Sequence, residues 1–197
     1  MLKYLLLLPL LILGSLAHAA VVTGDEAPTF ILTSASGEQI NLADHSDKVV
    51  ILEWVNYDCP FVKNHYNTGT MQALQKVAVD NGMVWLSICS SASGKQGNFT
   101  GQELSDRIAK EKSAATAYLI DEDGTVGKAY GAKTTPHMFI IKDGKIVYSG
   151  GIDSISSTKA EDIEKATPYV KEAIEAIVAD GDIPNSDTKA YGCGVKY

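Results

Sequence analysis

Cysteine, arginine and long apolar runs are scarce in this sequence of 197 residues. Three cysteines are too few for a miniprotein held together by disulfides, and the chain is long enough to build its own core. Arg107 is the single arginine, and 17 Lys and Arg against 24 Asp and Glu give a formal net charge of −7. No basic stripe is present to bind a phosphate backbone, which argues against nucleic acid and acidic membrane surfaces as partners.

The longest apolar run stands at the start of the chain. Lys3 precedes the apolar stretch 5–13, and Ala17-His18-Ala19 has the form of a signal-peptidase site. The run is short for a membrane span, and small residues follow it. We therefore expect residues 1–19 to be a secretory signal peptide and the mature chain, without a membrane span, to be periplasmic or secreted. Disulfides persist in such a compartment.

Apolar periodicity in the remaining sequence predicts alternating strands and helices. Strands are predicted at 30–32, 39–42, 49–55, 83–88, 118–120, 138–141 and 146–148, and helices at 60–79, 103–112, 126–130 and 159–179. Asp143-Gly144 predicts a tight hairpin, and Pro168 is expected to split the last helix or to start its main part. The fold class is therefore α/β, with helices on both faces of a mixed sheet. We expect one domain at 20–180 and a polar tail at 181–197.

Cys59 follows a buried-strand pattern, and Pro60 after it suits the first position of a helix. The thiol is thus predicted at a helix N-terminus, where unpaired N–H groups and the helix dipole favour the reactive thiolate. Lys63, one helical turn later, adds a positive charge that favours the thiolate, whereas Asp58 opposes it. The alternative is an inert buried cysteine.

The other two cysteines lie far along the chain. Cys193 is flanked by glycines, so its backbone is predicted to be mobile, and Tyr191 and Tyr197 on either side could dock it on an apolar surface. A mobile thiol could attack an oxidised Cys59 and form a disulfide with it, within one chain or between subunits. A constitutive structural bridge is the alternative. Cys89 ends a predicted buried strand and is interpreted as a buried free thiol.

His45, His65 and His137 raise the question of a metal centre, because sets of cysteine and histidine bind copper and zinc. No pair among these residues has the spacing C-x-x-C or H-x-x-x-H. The sequence therefore predicts no metal and no cofactor. A non-catalytic module that binds a metal or a partner protein, with structural thiols, stays as the alternative to an enzyme.

Several stretches together resemble the alkyl hydroperoxide reductase/thiol-specific antioxidant (AhpC/TSA, or redoxin) branch of the thioredoxin superfamily. They are the segments 24–30 and 48–54, Cys59-Pro60, 119–121 with Gly124, Thr135-Pro136 before a strand, and Asp143-Gly144. The resemblance covers roughly residues 24–151. It implies a thioredoxin-like fold, to which the hairpin at 30–42 is an N-terminal extension.

The resemblance also implies a function. Thr135-Pro136 would be a cis-proline loop lying against Cys59, with an ordinary turn proline as the alternative. The implied activity is that of an exported thiol oxidoreductase with antioxidant function, in which Cys59 attacks a peroxide and Cys193 resolves the product. An unidentified thiol would supply electrons, and a homodimer is left open. A protein thiol–disulfide exchanger is the alternative activity.

The sequence departs from the two nearest patterns of the superfamily. Val62 stands where a Cys-x-x-Cys reductase has its second cysteine, and Asn56 stands where peroxiredoxins carry a threonine. No arginine lies near the last strands, where peroxiredoxins have one. The missing parts of the site would therefore come from the loop at Thr135-Pro136 and from the tail that contains Cys193.

Overall fold

The computed structural model describes residues 20–197. The predicted signal peptide, residues 1–19, lies outside the described residues. Within the part of the chain that is described, no helix is both long enough and apolar enough to span a bilayer.

The strands and helices alternate along the chain as the sequence predicts. The strands are β1 (Ile31–Ser34), β2 (Gln39–Asn41), β3 (Val50–Trp54), β4 (Val84–Cys89), β5 (Ala117–Ile120), β6 (Thr134–Thr135), β7 (His137–Lys142), β8 (Lys145–Gly150) and β9 (Cys193–Gly194). The helices are α1 (Pro60–Asn67), α2 (Thr70–Asp80), α3 (Gly101–Glu111), α4 (Thr125–Tyr130), α5 (Ala160–Ile163) and α6 (Tyr169–Val178), with a 3₁₀ helix at Leu42–His45.

Seven strands form one mixed sheet in the order β2-β1-β5-β4-β3-β7-β8. The central strands β3, β4 and β5 are parallel, whereas β1, β7 and β8 run antiparallel to their neighbours. The β1–β2 hairpin extends one edge of the sheet, and β7–β8 closes the other. The predicted α/β class, the mixed sheet and the N-terminal hairpin are confirmed.

Both faces of the sheet are buried. Successive side chains of a strand point to opposite faces, so each strand contributes residues to both cores. In β3, Ile51 packs with the apolar residues of α1, α2 and α6, whereas Leu52 and Trp54 pack with those of α4. These three side chains are fully buried. Helices therefore pack on both faces of β3 and hold in place the end of the strand, from which the chain continues to Cys59.

The prediction of a single helix at 60–79 is wrong. Two helices occupy this stretch, because Gly69 has φ of +76°, a left-handed conformation that ends one helix and begins the next. The Thr68 hydroxyl donates to the Asn64 carbonyl oxygen across 2.8 Å and so competes with continued helix hydrogen bonds. The chain therefore turns after two turns of α1.

The two proline- and glycine-based predictions near the C-terminus are confirmed. Pro168 immediately precedes α6, the main part of the predicted last helix. Asp143 and Gly144 have φ of 52° and 75°, as the tight turn between β7 and β8 requires.

The tail, residues 181–197, is not the free segment that its glycines predict. Its first part lies along β8, where Ser149 bonds through its backbone to both Ser186 and Thr188. Its last part forms β9, which pairs antiparallel with β6. Long-range backbone pairing thus docks the tail against the loop at Thr135-Pro136.

Candidate active site

Cys59 occupies the N-cap position of α1, with extended backbone angles of −70° and 126°, and Pro60 is the first helical residue. Its backbone N–H donates to the Asn56 carbonyl oxygen across 2.9 Å, which closes the turn between β3 and α1. The side chain is fully buried. The strand–Cys-Pro–helix arrangement predicted from the sequence is therefore present, and the thiol points into the protein.

The loop at Thr135-Pro136 lies directly against this thiol. The Thr135–Pro136 peptide bond is cis, as the resemblance implies. The Cys59 thiol donates to the Thr135 carbonyl oxygen across 3.0 Å. The Thr135 hydroxyl is buried and has no hydrogen-bond partner among residues 20–197, so it is free to donate to a Cys59 thiolate.

Cys193 reaches the same place from the opposite end of the chain. It lies opposite Thr135 in the β6–β9 pair, and the two thiols are close enough to shift each other's pKa. The approach is close: Gly192 has φ of +134°, and a Cβ there would overlap the Thr135 carbonyl oxygen. Glycine at 192 therefore allows the tail to lie flat against the loop. The structure brings Cys59, Cys193, Thr135 and Pro136 together.

The two thiols have opposite pKa shifts. Burial raises the pKa of Cys59, but hydrogen bonds from the Cys193 thiol, the Thr135 hydroxyl and the backbone N–H of Val62 outweigh burial, and the pKa lies below its ordinary value. Burial and the bond to Cys59 raise the pKa of Cys193 to about 11. Of the two thiols, Cys59 is therefore the one that ionises at the lower pH.

Lys63, predicted to favour the thiolate, forms an ion pair with Asp58. Its ammonium lies 3.5 Å from the Asp58 carboxylate, and its side chain is 45% exposed. Asp58 also pairs with Arg107 across 3.0 Å, and Arg107 donates to the Tyr57 carbonyl oxygen. The Asp58 carboxylate thus lies between two cations, and the causes that lower the pKa of Cys59 are hydrogen bonds. Sequence reasoning missed Arg107 as a brace of this turn.

Asn56 has a structural role at the position where peroxiredoxins carry threonine. Its amide nitrogen donates to the Gln96 carbonyl oxygen across 3.2 Å, and its amide oxygen accepts from the Asp58 N–H across 2.9 Å. Gly97 packs so closely that a Cβ there would overlap the Asn56 side chain. Cys89 is buried nearby and donates to the Gly97 carbonyl oxygen across 3.3 Å, as expected of a buried free thiol.

Three buried polar side chains hold the tail beside the thiols. The Tyr191 hydroxyl donates to Asp153 Oδ1 across 2.6 Å and lies 3.1 Å from His65 Nε2. The sequence singled out His65 only as a metal candidate and did not single out Asp153, because no local pattern links residues so far apart. Within residues 20–197 no group of three or more potential metal ligands is found.

A buried carboxylate lies in the core beneath α1 and α2. Glu53 of β3 is fully buried and accepts hydrogen bonds from Tyr66, Gln75, Trp85 and Ser87. Burial raises its pKa, although the four donors act in the opposite direction. Sequence reasoning missed Glu53, which stands inside an apolar run.

Comparison with known proteins places these features in context. The model of the AhpC/TSA family matches residues 23–149. The chain is 26% identical over 153 residues to the thiol-disulfide oxidoreductase ResA of Bacillus thuringiensis subsp. konkukian, covering 74% of this chain and 79% of ResA.

Solved structures share the architecture at low identity. An uncharacterised conserved protein from Geobacillus kaustophilus is 24% identical, with a TM-score of 0.74 over 89% of this chain and 92% of its own. The thioredoxin domain of a thiol-disulfide oxidoreductase from Bacteroides vulgatus is 19% identical, with a TM-score of 0.54 over 74% of this chain and 98% of its own. The predicted thioredoxin-like fold is therefore confirmed.

Proposed function

The chain belongs to the AhpC/TSA family, and we propose that it is a thiol–disulfide oxidoreductase that exchanges disulfides with proteins through Cys59 and Cys193. The observation that supports this proposal most strongly is the contact between two thiols with opposite pKa shifts beside the Thr135-Pro136 loop. The likeness to a relative named a thiol-disulfide oxidoreductase supports the same activity.

The two thiols divide the reaction between them. The Cys59 thiolate attacks one sulfur of the substrate disulfide, whose S–S bond breaks, and one substrate sulfur leaves as a thiolate. Cys193 then loses its proton to that thiolate and attacks the Cys59 sulfur of the mixed disulfide. The second substrate sulfur leaves, and the Cys59–Cys193 disulfide remains. The substrate gains two electrons and one proton from the enzyme, and its second sulfur, which leaves as a thiolate, takes a proton from water.

Cys193 thereby replaces the second cysteine of a Cys-x-x-Cys motif. Val62 stands at that position of α1 and is fully buried. The pKa of Cys59 is lowered, which suits it to attack first because the thiolate is the nucleophile, whereas the raised pKa of Cys193 keeps that thiol protonated until Cys59 has reacted. An unidentified external thiol would reduce the disulfide again and complete the cycle.

Peroxide reduction is the second candidate activity. Cys59 is fully buried beneath the tail, and a peroxide is small enough to enter with little displacement of the chain. The thiolate would take one peroxide oxygen to give a sulfenic acid and an alcohol or water. The Cys193 thiol would then displace water and form the same disulfide. Both activities fit an exported protein, which we propose from the apolar N-terminal segment.

Turnover with two substrates separates these activities. The reduced chain is supplied with insulin or with hydrogen peroxide, with dithiothreitol as electron donor, and the initial rates are measured. Exchange predicts a rate with insulin that Cys59→Ser abolishes and Cys193→Ser lowers, whereas Cys89→Ser serves as the matched control and keeps the parent rate. Rapid turnover of peroxide without turnover of insulin would overturn the exchanger in favour of the peroxidase. No turnover of either substrate would overturn both.

A further inference from the structure

The tail closes the site. Cys59 is fully buried, and the chain that covers it includes Cys193, which lies opposite Thr135. Backbone bonds fix the tail at two further points, from Val195 to Lys133 and from Ala92 to Lys196. A folded protein substrate is too large to reach Cys59 in this arrangement, so the tail must move during exchange.

One side chain connects the tail to the body of the protein close to Cys193. The Tyr191 ring packs edge-on against Phe61, with ring centres 5.8 Å apart. Its hydroxyl has one proton, which it donates to the Asp153 carboxylate across 2.6 Å. The hydroxyl oxygen must then accept from His65, so that the proton of the neutral imidazole lies on Nε2. Three separate segments meet at this hydroxyl.

All three partners are buried, which makes the arrangement specific to the docked tail. His65 is 1% exposed, Asp153 5% and Tyr191 9%. When the tail leaves, the His65 N–H and the Asp153 oxygen lose a shared partner, and the aromatic contact with Phe61 is lost. Because a buried polar group that loses its hydrogen-bond partner is costly, His65 and Asp153 favour the docked position of Tyr191, which lies two residues before Cys193.

We infer that Tyr191 is a positioning residue: held by His65 and Asp153, it fixes Cys193 opposite Cys59 and keeps large partners from Cys59 until the tail moves. The inference rests on the proposed exchange between the two thiols. It adds that docking has two effects of opposite sign. A docked tail slows the first attack on a large substrate and speeds the second attack, in which Cys193 forms the intramolecular disulfide.

Tyr191→Phe tests this inference, because it removes the hydroxyl and keeps the ring. The matched control is Tyr130→Phe, which removes another buried hydroxyl, bonded to the Pro28 carbonyl oxygen across 2.8 Å, away from the thiols. Access is measured in a chain whose single thiol is Cys59, made by Cys89→Ala and Cys193→Ser. The probe is dithiobis(nitrobenzoate), an aromatic disulfide that releases one coloured thiolate when Cys59 reacts.

Positioning is measured with the same probe in the Cys89→Ala chain, which retains both Cys59 and Cys193. After the first release, Cys193 attacks the Cys59 sulfur and releases a second coloured thiolate. The aryl group on Cys59 occupies space beneath the tail, so that the tail must dock again before this attack. Tyr191→Phe is expected to raise the access rate roughly tenfold and to lower the rate of second release by a similar factor.

The two rates must move in opposite directions. If both rise, both fall, or both change no more than in Tyr130→Phe, the positioning role of Tyr191 is overturned. The probe needs no physiological substrate, so this result is separate from the proposed function. If Tyr191→Phe changes the two rates in opposite directions but the parent chain does not turn over insulin, the proposed exchange activity is overturned and the positioning role stands. If the parent chain turns over insulin but the two rates do not move in opposite directions, only the positioning role is overturned.

Discussion

The Cys59 thiol donates to the Thr135 carbonyl oxygen across 3.0 Å, although 76 residues separate the two along the chain. Thr135 also lies opposite Cys193 in the β6–β9 pair. One residue therefore contacts the Cys59 thiol through its carbonyl oxygen and pairs with Cys193 through its backbone, and its hydroxyl is buried without a hydrogen-bond partner among residues 20–197. Substitutions here and in the tail should alter thiol chemistry while leaving the sheet intact.

We expect the Thr135 hydroxyl, which lowers the pKa of Cys59, to donate to the Cys59 thiolate. Thr135→Val keeps the shape and the backbone but removes this donor, so the pKa of Cys59 should rise and its alkylation by iodoacetamide at neutral pH should slow roughly tenfold. The measurement is the rate of alkylation against pH in a Cys89→Ala background. Thr134→Val is the control, because the Thr134 hydroxyl donates to the Pro136 carbonyl oxygen instead. Equal profiles for both variants would contradict the assignment.

The Cys193 thiol is a second donor to Cys59. Cys193→Ala should raise the pKa of Cys59, whereas Cys193→Ser retains a hydroxyl donor at the same place and should raise it less or not at all. At a fixed pH, the thiolate fraction of Cys59 should therefore be larger in Cys193→Ser than in Cys193→Ala. Alkylation rates followed by mass spectrometry measure this order. A lower pKa for Cys59 in the alanine variant than in the serine variant would refute the contact.

Gly192 is required by both its backbone and its surroundings. Its φ of +134° is rarely adopted by other residues, and a Cβ would overlap the Thr135 carbonyl oxygen. Gly192→Ala should destabilise docking of the tail by more than about 1 kcal/mol and should therefore increase labelling of Cys59 by a maleimide. Gly194→Ala is the matched control, since a Cβ there would come no nearer than 4.0 Å to the Lys133 carbonyl oxygen. Equal labelling of the two variants would contradict this description of the tail.

Glu53 makes stability depend on pH. Its folded-state pKa is raised by burial, so the folded chain holds the Glu53 proton more tightly than the unfolded chain does. The free energy of unfolding should consequently fall as the pH rises from the ordinary glutamate range through the folded-state pKa. Glu53→Gln cannot ionise, and its amide can still accept from Trp85 and Ser87 and donate to Tyr66. Urea unfolding at several pH values should show a smaller decline for this variant; an unchanged decline would mean that other groups cause it.

Local patterns in the sequence predict most of the fold and, within the site, the placement of Cys59. The apolar run before Cys59 and the helical spacing after Pro60 are properties of neighbouring residues, and they indicate the strand–thiol–helix unit correctly. The contact between Cys59 and Thr135 is implied only by the family resemblance, because the two residues are 76 positions apart in the sequence.

What the sequence does not indicate depends on distant partners. Arg107 of α3 pairs with Asp58 in the turn before Cys59. Tyr191 contacts His65 and Asp153, which are 126 and 38 residues away in the sequence. Glycines near Cys193 suggested a mobile tail, yet Gly192 is what permits close docking. Composition alone does not distinguish a glycine that loosens a chain from one that lets two backbones approach.

The central claim is that Cys59 and Cys193 form one redox pair. The most direct measurement equilibrates the chain with reduced and oxidised glutathione and identifies linked peptides by mass spectrometry after the remaining thiols are blocked. We expect an intramolecular Cys59–Cys193 disulfide that forms and breaks reversibly, with Cys89 blocked as a free thiol at every ratio of reduced to oxidised glutathione. A disulfide that includes Cys89, or a Cys59 that stays reduced while Cys193 pairs with glutathione, would contradict it.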